Sequence, residues 1–177
     1  MTTIAVVGSG YMGGGIAQVL ALAGCSITLS DQTPEIASAS RERIIAEAAA
    51  FAEQKLLAPD AADRIAQNVR AVASLEDAVE GVDFVEEAVP EIPALKAETL
   101  GRISAANDEA IIGSNTSTIS IGQLAADVRN PERFLGVHFS NPAPFIPGVE
   151  LIPLATTRSS AVDELTALLR SAGKAPA

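Results

Sequence analysis

The chain is 177 residues long and 48% hydrophobic, with a net charge of −10 and a single cysteine, which suits one compact domain or one domain with a short extension. Its 12 lysines and arginines are scattered, which argues against a nucleic-acid partner that needs a basic face, and one cysteine excludes an internal disulfide or a cysteine-based metal cluster. No apolar run reaches the ~20 residues of a membrane helix, and the N-terminus lacks the basic start and cleavage site of a secretory signal, so a soluble, cytoplasmic protein is expected.

Residues 3–7 form a short, β-branched apolar run that predicts a strand. A glycine turn, Gly8-Ser9-Gly10-Tyr11-Met12-Gly13, follows it. The next stretch, to about Ala23, carries Ile16, Val19, Leu20 and Ala23 at helical spacing. Cys25 reads as a small buried residue beside the second strand, 26–30, which ends at Asp31. Strand, glycine turn, helix and strand within about 30 residues make a βαβ unit. Thr33-Pro34-Glu35 is a helix start, with Thr33 as N-cap and Pro34 in the first turn. That helix is expected to run to about Leu57, where Pro59 stops it, and a second follows over 60–68. Strands are expected at 69–73, 83–89, 110–114, 134–139 and 149–154. Helices are expected at 75–80, 92–106, 120–127 and 159–172. The tail 173–177 resembles the entry to another strand, as if the chain were cut short. This alternation predicts an α/β fold, a Rossmann-type doubly wound and mostly parallel sheet with helices on both faces.

The glycine turn has the full context that a bare GxGxxG lacks: a strand before, a helix after, and an acid about 20 residues on. Gly8 permits the tight turn, Gly10 lets the backbone approach a pyrophosphate, and Gly13 lets helix and strand pack closely. With Tyr11 and Met12 they open a helix whose first N–H groups lack partners and suit an anion. Asp31 is placed to accept hydrogen bonds from an adenosine ribose and to repel a 2′-phosphate, which favours NAD over NADP. FAD competes for the same turn, and later residues fit hydride transfer to NAD better.

His138 is the single histidine, near the end of a predicted strand, where ligands bind in parallel sheets. Alcohol oxidation needs a base near neutral pKa, which imidazole supplies. Glu150 follows twelve residues later. A Pro-rich return of the chain would bring its carboxylate to the far ring nitrogen and fix the tautomer. Composition and spacing leave both residues open to plain structural roles.

These residues, with Val85-Glu86-Glu87-Ala88-Val89-Pro90-Glu91, Gly113-Ser114-Asn115-Thr116-Ser117, His138-Phe139-Ser140-Asn141-Pro142 and Val149-Glu150, resemble the NAD-binding (N-terminal) domain of the L-3-hydroxyacyl-CoA dehydrogenase family. The resemblance covers nearly the whole chain, in family order. It implies that His138 is the catalytic base, Glu150 its orienting carboxylate, and Ser117 the hydroxyl that bonds the substrate's reacting oxygen. It implies that Asn115 and Asn141 line the nicotinamide and substrate site, and that Glu91 and Lys96 lie near the nicotinamide ribose. An ordinary turn with a helix cap remains open for residues 114–117, and a solvated helix lysine for Lys96.

The family also implies a second, all-helical domain, absent from this chain, that completes the substrate pocket and makes a homodimer. The isolated chain is therefore expected to bind NAD and to turn over poorly, with an exposed apolar face. The resemblance implies a 3-hydroxyacyl-CoA substrate. Against it, Pro147-Gly148 stands where acyl-CoA members often have a lysine, and helix 34–57 offers only Arg41, Arg43 and Lys55 to a polyanionic CoA. A relative acting on a small hydroxy acid or hydroxymethyl compound, and a non-catalytic NAD-binding protein, are the alternatives. The intact Ser117, His138 and Glu150 set argues against the latter.

Overall fold

The computed structural model describes residues 2–177. Eight strands form one sheet in the order β3-β2-β1-β4-β5-β6-β7-β8. They are β1 (Thr3–Val7), β2 (Ser26–Ser30), β3 (Val69–Ala71), β4 (Phe84–Glu87), β5 (Ile111–Ser114), β6 (Phe134–Phe139), β7 (Gly148–Pro153) and β8 (Ala175–Pro176). The first six run parallel; β7 pairs antiparallel with β6, and β8 parallel with β7. The order reverses between β1 and β4, the switch point at which such sheets open a crevice for ligands.

Seven helices cover the sheet: α1 (Tyr11–Leu22), α2 (Pro34–Glu53), α3 (Ala61–Asn68), α4 (Leu75–Val79), α5 (Pro93–Ala106), α6 (Ile121–Leu124) and α7 (Ser159–Ser171). Alternate residues of each central strand feed two separate cores. Ile4 and Val6 pack with Ile16, Leu20, Ile44, Ile65 and Leu165 from α1, α2, α3 and α7. Ala5 and Val7 pack with Ala78, Leu100, Ile103 and Leu124 from α4, α5 and α6. Strands buried on both faces explain why the sequence shows continuous apolar runs rather than alternation. Among the described residues no helix is long and apolar enough to cross a membrane.

Most boundaries fall within two residues of the sequence reading, and the tail does form the edge strand β8. The helix expected over 120–127 is α6 followed by a 3-10 turn, Ala125–Asp127, and the largest departure is the helix expected over 34–57. It starts as expected, with the Thr33 hydroxyl accepting the Ile36 N–H, but ends at Glu53. Lys55 takes a left-handed φ of 60°. The Lys55 N–H then bonds Ala52 O, and the Leu56 N–H bonds Phe51 O. This is a Schellman stop, made by a lysine where a glycine would have signalled it.

Candidate functional site

The glycine turn leaves β1 at the switch point. Gly8 has φ +94°, and a Cβ there would lie 2.7 Å from the Ala88 backbone. A Cβ on Gly13 would stand 1.8 Å from Gly8 O. Gly10 differs, since a Cβ added to it would meet nothing within 4 Å. Its missing side chain therefore serves the open space in front of the turn rather than the packing behind it. That space is a groove of about 1150 Å³ running across the strand ends. No side chain caps the start of α1 and its first turn holds no acid, so its leading N–H groups face the groove with the positive end of the helix dipole.

At one end of the groove Asp31 closes β2. Its Oδ2 accepts from the Ser9 N–H (2.6 Å) and hydroxyl (2.7 Å), and Oδ1 from the Gln32 N–H (2.7 Å). The carboxylate holds the turn and still lines the groove, with lone pairs left for a ribose. Gln32, Ile36, Ser74, Leu75 and Arg102 complete this end. Sequence reasoning missed Ser74, Leu75 and Arg102 because the segment after β3 and the middle of α5 meet β2 only in the folded sheet.

His138 stands at the other end. The antiparallel register sets it directly opposite Glu150, and Nδ1 lies 2.7 Å from Glu150 Oε2. The Pro-rich segment thus returns the chain as a β-hairpin, and strand pairing itself aligns base and carboxylate. With Nδ1 engaged, Nε2 is free to take a proton. The pair is open on its outer side, Glu150 being 66% exposed. Asn141 and Ser117 line the same end, as does Asn115, whose Oδ1 also accepts the Phe139 N–H and ties β5 to β6.

The loop that carries Ser117 is anchored by Glu91. One oxygen, Oε1, accepts from the Thr116 hydroxyl (2.6 Å), the Ser117 N–H (3.0 Å), and the Thr118 N–H and hydroxyl (both 2.9 Å). Partial burial opposes ionisation, but the bonds from Thr116, Thr118 and Ser117 outweigh it and bring the carboxyl pKa down to about 2. The structure excludes the solvated alternative for Lys96, and the side chain is not part of the groove wall. The ammonium is fully buried, 2.8 Å from Glu87 Oε1 and 3.1 Å from Val89 O, and 3.6 Å from Glu91 Oε2. It stands behind Glu91, which lines the groove, and pairs with Glu87. Burial raises the Glu87 carboxyl, while Lys96, the Ser114 hydroxyl and the Val89 N–H counter that rise.

Of the three cations expected to meet a CoA tail, Arg41 and Arg43 are also committed within the protein. Arg41 donates to Val69 O and Ala66 O. Arg43 donates to Ser9 O, Gly10 O, the Ser40 hydroxyl and Glu47.

A glycine turn at a switch point, an uncapped helix over an open groove and an acid closing β2 define the class: a dinucleotide-binding domain of the Rossmann type. The family model described as 3-hydroxyacyl-CoA dehydrogenase, NAD binding domain, matches residues 3–177, and the chain belongs to that family. It is 38% identical over 176 residues to the fatty acid oxidation complex subunit alpha of Acinetobacter baylyi, covering 97% of this chain and 24% of that protein. The structure of (S)-3-hydroxybutyryl-CoA dehydrogenase from Ralstonia eutropha superposes with a TM-score of 0.93 at 31% identity, over 99% of this chain and 62% of that one. A 5-formyl-3-hydroxy-2-methylpyridine 4-carboxylic acid 5-dehydrogenase, an NAD+-dependent dismutase, matches with a TM-score of 0.86 at 33% identity, over 100% of this chain and 57% of that one. The chain thus spans about a quarter to three-fifths of the length of these relatives.

Proposed function

We propose that these residues are the cofactor domain of an enzyme that oxidises a 3-hydroxyacyl-CoA to the 3-oxoacyl-CoA. The carrying observation is the His138–Glu150 pair at the end of the groove, 2.7 Å apart across two paired strands. NAD, bound on the glycine turn, supplies the hydride acceptor. His138 takes the hydroxyl proton at Nε2. Glu150 holds the Nδ1–H, so the ring presents the correct tautomer and its cationic form is stabilised. The Ser117 hydroxyl donates to the substrate oxygen, and Asn141 borders the same space. Glu91 keeps the Ser117 loop in place. We further propose a cytoplasmic homodimer in which a helical partner domain covers the exposed side of Glu150.

The test uses the whole gene product that contains these residues. NADH formation is followed with 3-hydroxybutyryl-CoA and with free 3-hydroxybutyrate. Turnover of the CoA ester supports the reading, and turnover of the free acid alone removes it. His138→Gln should abolish turnover and leave the NADH dissociation constant within about twofold, since base and cofactor contacts use different atoms. Equal loss of both would make His138 structural. A small hydroxymethyl or hydroxy-acid substrate is the second reading. It is favoured by the internal commitment of Arg41 and Arg43 and by the likeness to the pyridine carboxylate dehydrogenase.

A further inference from the structure

We infer that Arg43 is a positioning residue for the dinucleotide: its guanidinium braces the glycine turn from behind, in the space that Gly14 leaves. The inference rests on NAD binding at that turn and adds a residue that the glycine motif does not contain.

Ser9, at the centre of the turn, is held from two sides. Asp31 accepts its N–H and hydroxyl. On the opposite side its carbonyl accepts from the Ser40 hydroxyl (2.5 Å) and from Arg43 Nη2 (3.2 Å). The same Nη2 donates to Gly10 O at 3.2 Å. Gly10 O also accepts the Gly14 N–H at 2.8 Å, the bond that starts α1. One guanidinium nitrogen therefore links the last two carbonyls before the helix, and so sets the direction of the N–H groups that follow. Those N–H groups are the ones that a pyrophosphate would meet.

Gly14 makes this possible. A Cβ at that position would lie 2.6 Å from Arg43 Nη2 and 3.4 Å from Cζ, with Ile44 Cγ2 at 3.0 Å. Gly14 lies in the first turn of α1 and has no positive φ, so turn geometry does not demand glycine there. The space is occupied by the guanidinium. Glu47, 2.9 Å from Nη1, orients the group and offsets much of its charge. The contribution of Arg43 is thus chiefly geometric: Nη1 is held by Glu47, and that fixes Nη2 between the two carbonyls.

Fluorescence titration of the 177-residue chain with NADH tests this, alongside competition by ADP-ribose and by adenosine. Arg43→Met should weaken NADH and ADP-ribose by about fivefold, the loss expected from releasing two modest hydrogen bonds, and leave adenosine unchanged. Gly14→Ala should act in the same direction by displacing the guanidinium. It raises the helix propensity of α1, so it also serves if Arg43→Met fails to fold. The double variant should be no weaker than Arg43→Met alone, because both changes remove one interaction. Wild-type affinity in both single variants would overturn the inference and leave the cofactor reading intact. Equal weakening of adenosine and ADP-ribose would also overturn it, since that marks a general loss of structure. No NADH binding by the wild-type chain would overturn the cofactor reading and the inference with it.

Discussion

Glu86 is fully buried in β4, and neither carboxyl oxygen has a hydrogen-bond partner among the described residues. It lies over Gly113, where a Cβ would stand 2.5 Å from Oε2 and 2.8 Å from Val137 Cγ2. Burial pushes its carboxyl well above the usual carboxylate range, the Glu87 charge adds to that, and Lys96 offsets part. Burial in the folded protein therefore favours the protonated form of this group. Two costs follow. An unpaired buried polar group costs about 1–3 kcal/mol even when neutral. Protonation linkage adds a second, because a raised folded-state pKa gives stability that is complete below the unfolded value and is lost as pH rises toward the folded one. Each pH unit within that window removes about 1.4 kcal/mol. Glu86→Met removes both costs with a side chain of similar length. Urea denaturation of both proteins between pH 4 and pH 8 measures the difference. The variant should be more stable by about 1–3 kcal/mol at the acid end, and its advantage should widen as pH rises. A constant difference across that range would mean that Glu86 does not titrate against burial, and would refute the reasoning.

Three further outcomes follow from single contacts. Glu91→Gln should cost stability at neutral pH, and the cost should shrink as pH falls from about 4.5 toward the folded-state pKa of about 2; thermal melts at pH 7 and pH 3 measure it, and an equal cost at both would deny the carboxylate its role. Gly13→Ala should destabilise by about 3 kcal/mol or more and abolish NADH binding, since its methyl would meet Gly8 O at 1.8 Å; retained binding in a titration would refute the packing argument. Lys55→Gly should raise stability by about 1 kcal/mol by relieving its left-handed conformation, read as a higher urea midpoint.

The first βαβ unit was legible because each of its signals is local: β-branched run, glycine turn, helical spacing, closing acid. The pairing of His138 with Glu150 was suggested by residue type, but its geometry depends on an antiparallel register set by tertiary contacts. The burial of Lys96 was hidden for a related reason. Nothing in its neighbours announces that Glu87, nine residues earlier, turns under the helix and draws the ammonium inward. Two consecutive glutamates in a buried strand look like a surface pair, so the isolation of Glu86 was invisible. The bracing of Ser9 by Ser40 and Arg43 joins residues more than thirty positions apart, on a helix face that reads as solvated.

The β6–β7 hairpin sets a rule for insertions and deletions. Side chains alternate between the sheet's two faces, so adding one residue within Gly148–Glu150 would exchange which of them meets the imidazole. The carboxylate would then point toward the apolar side occupied by Val137 and Val149. Length changes between Ser140 and Pro147 leave that parity intact. Parity therefore constrains the strands, whereas the loop is constrained by its own contacts: Asn141 lines the groove and Lys174 Nζ holds the Ile146 carbonyl at 2.8 Å.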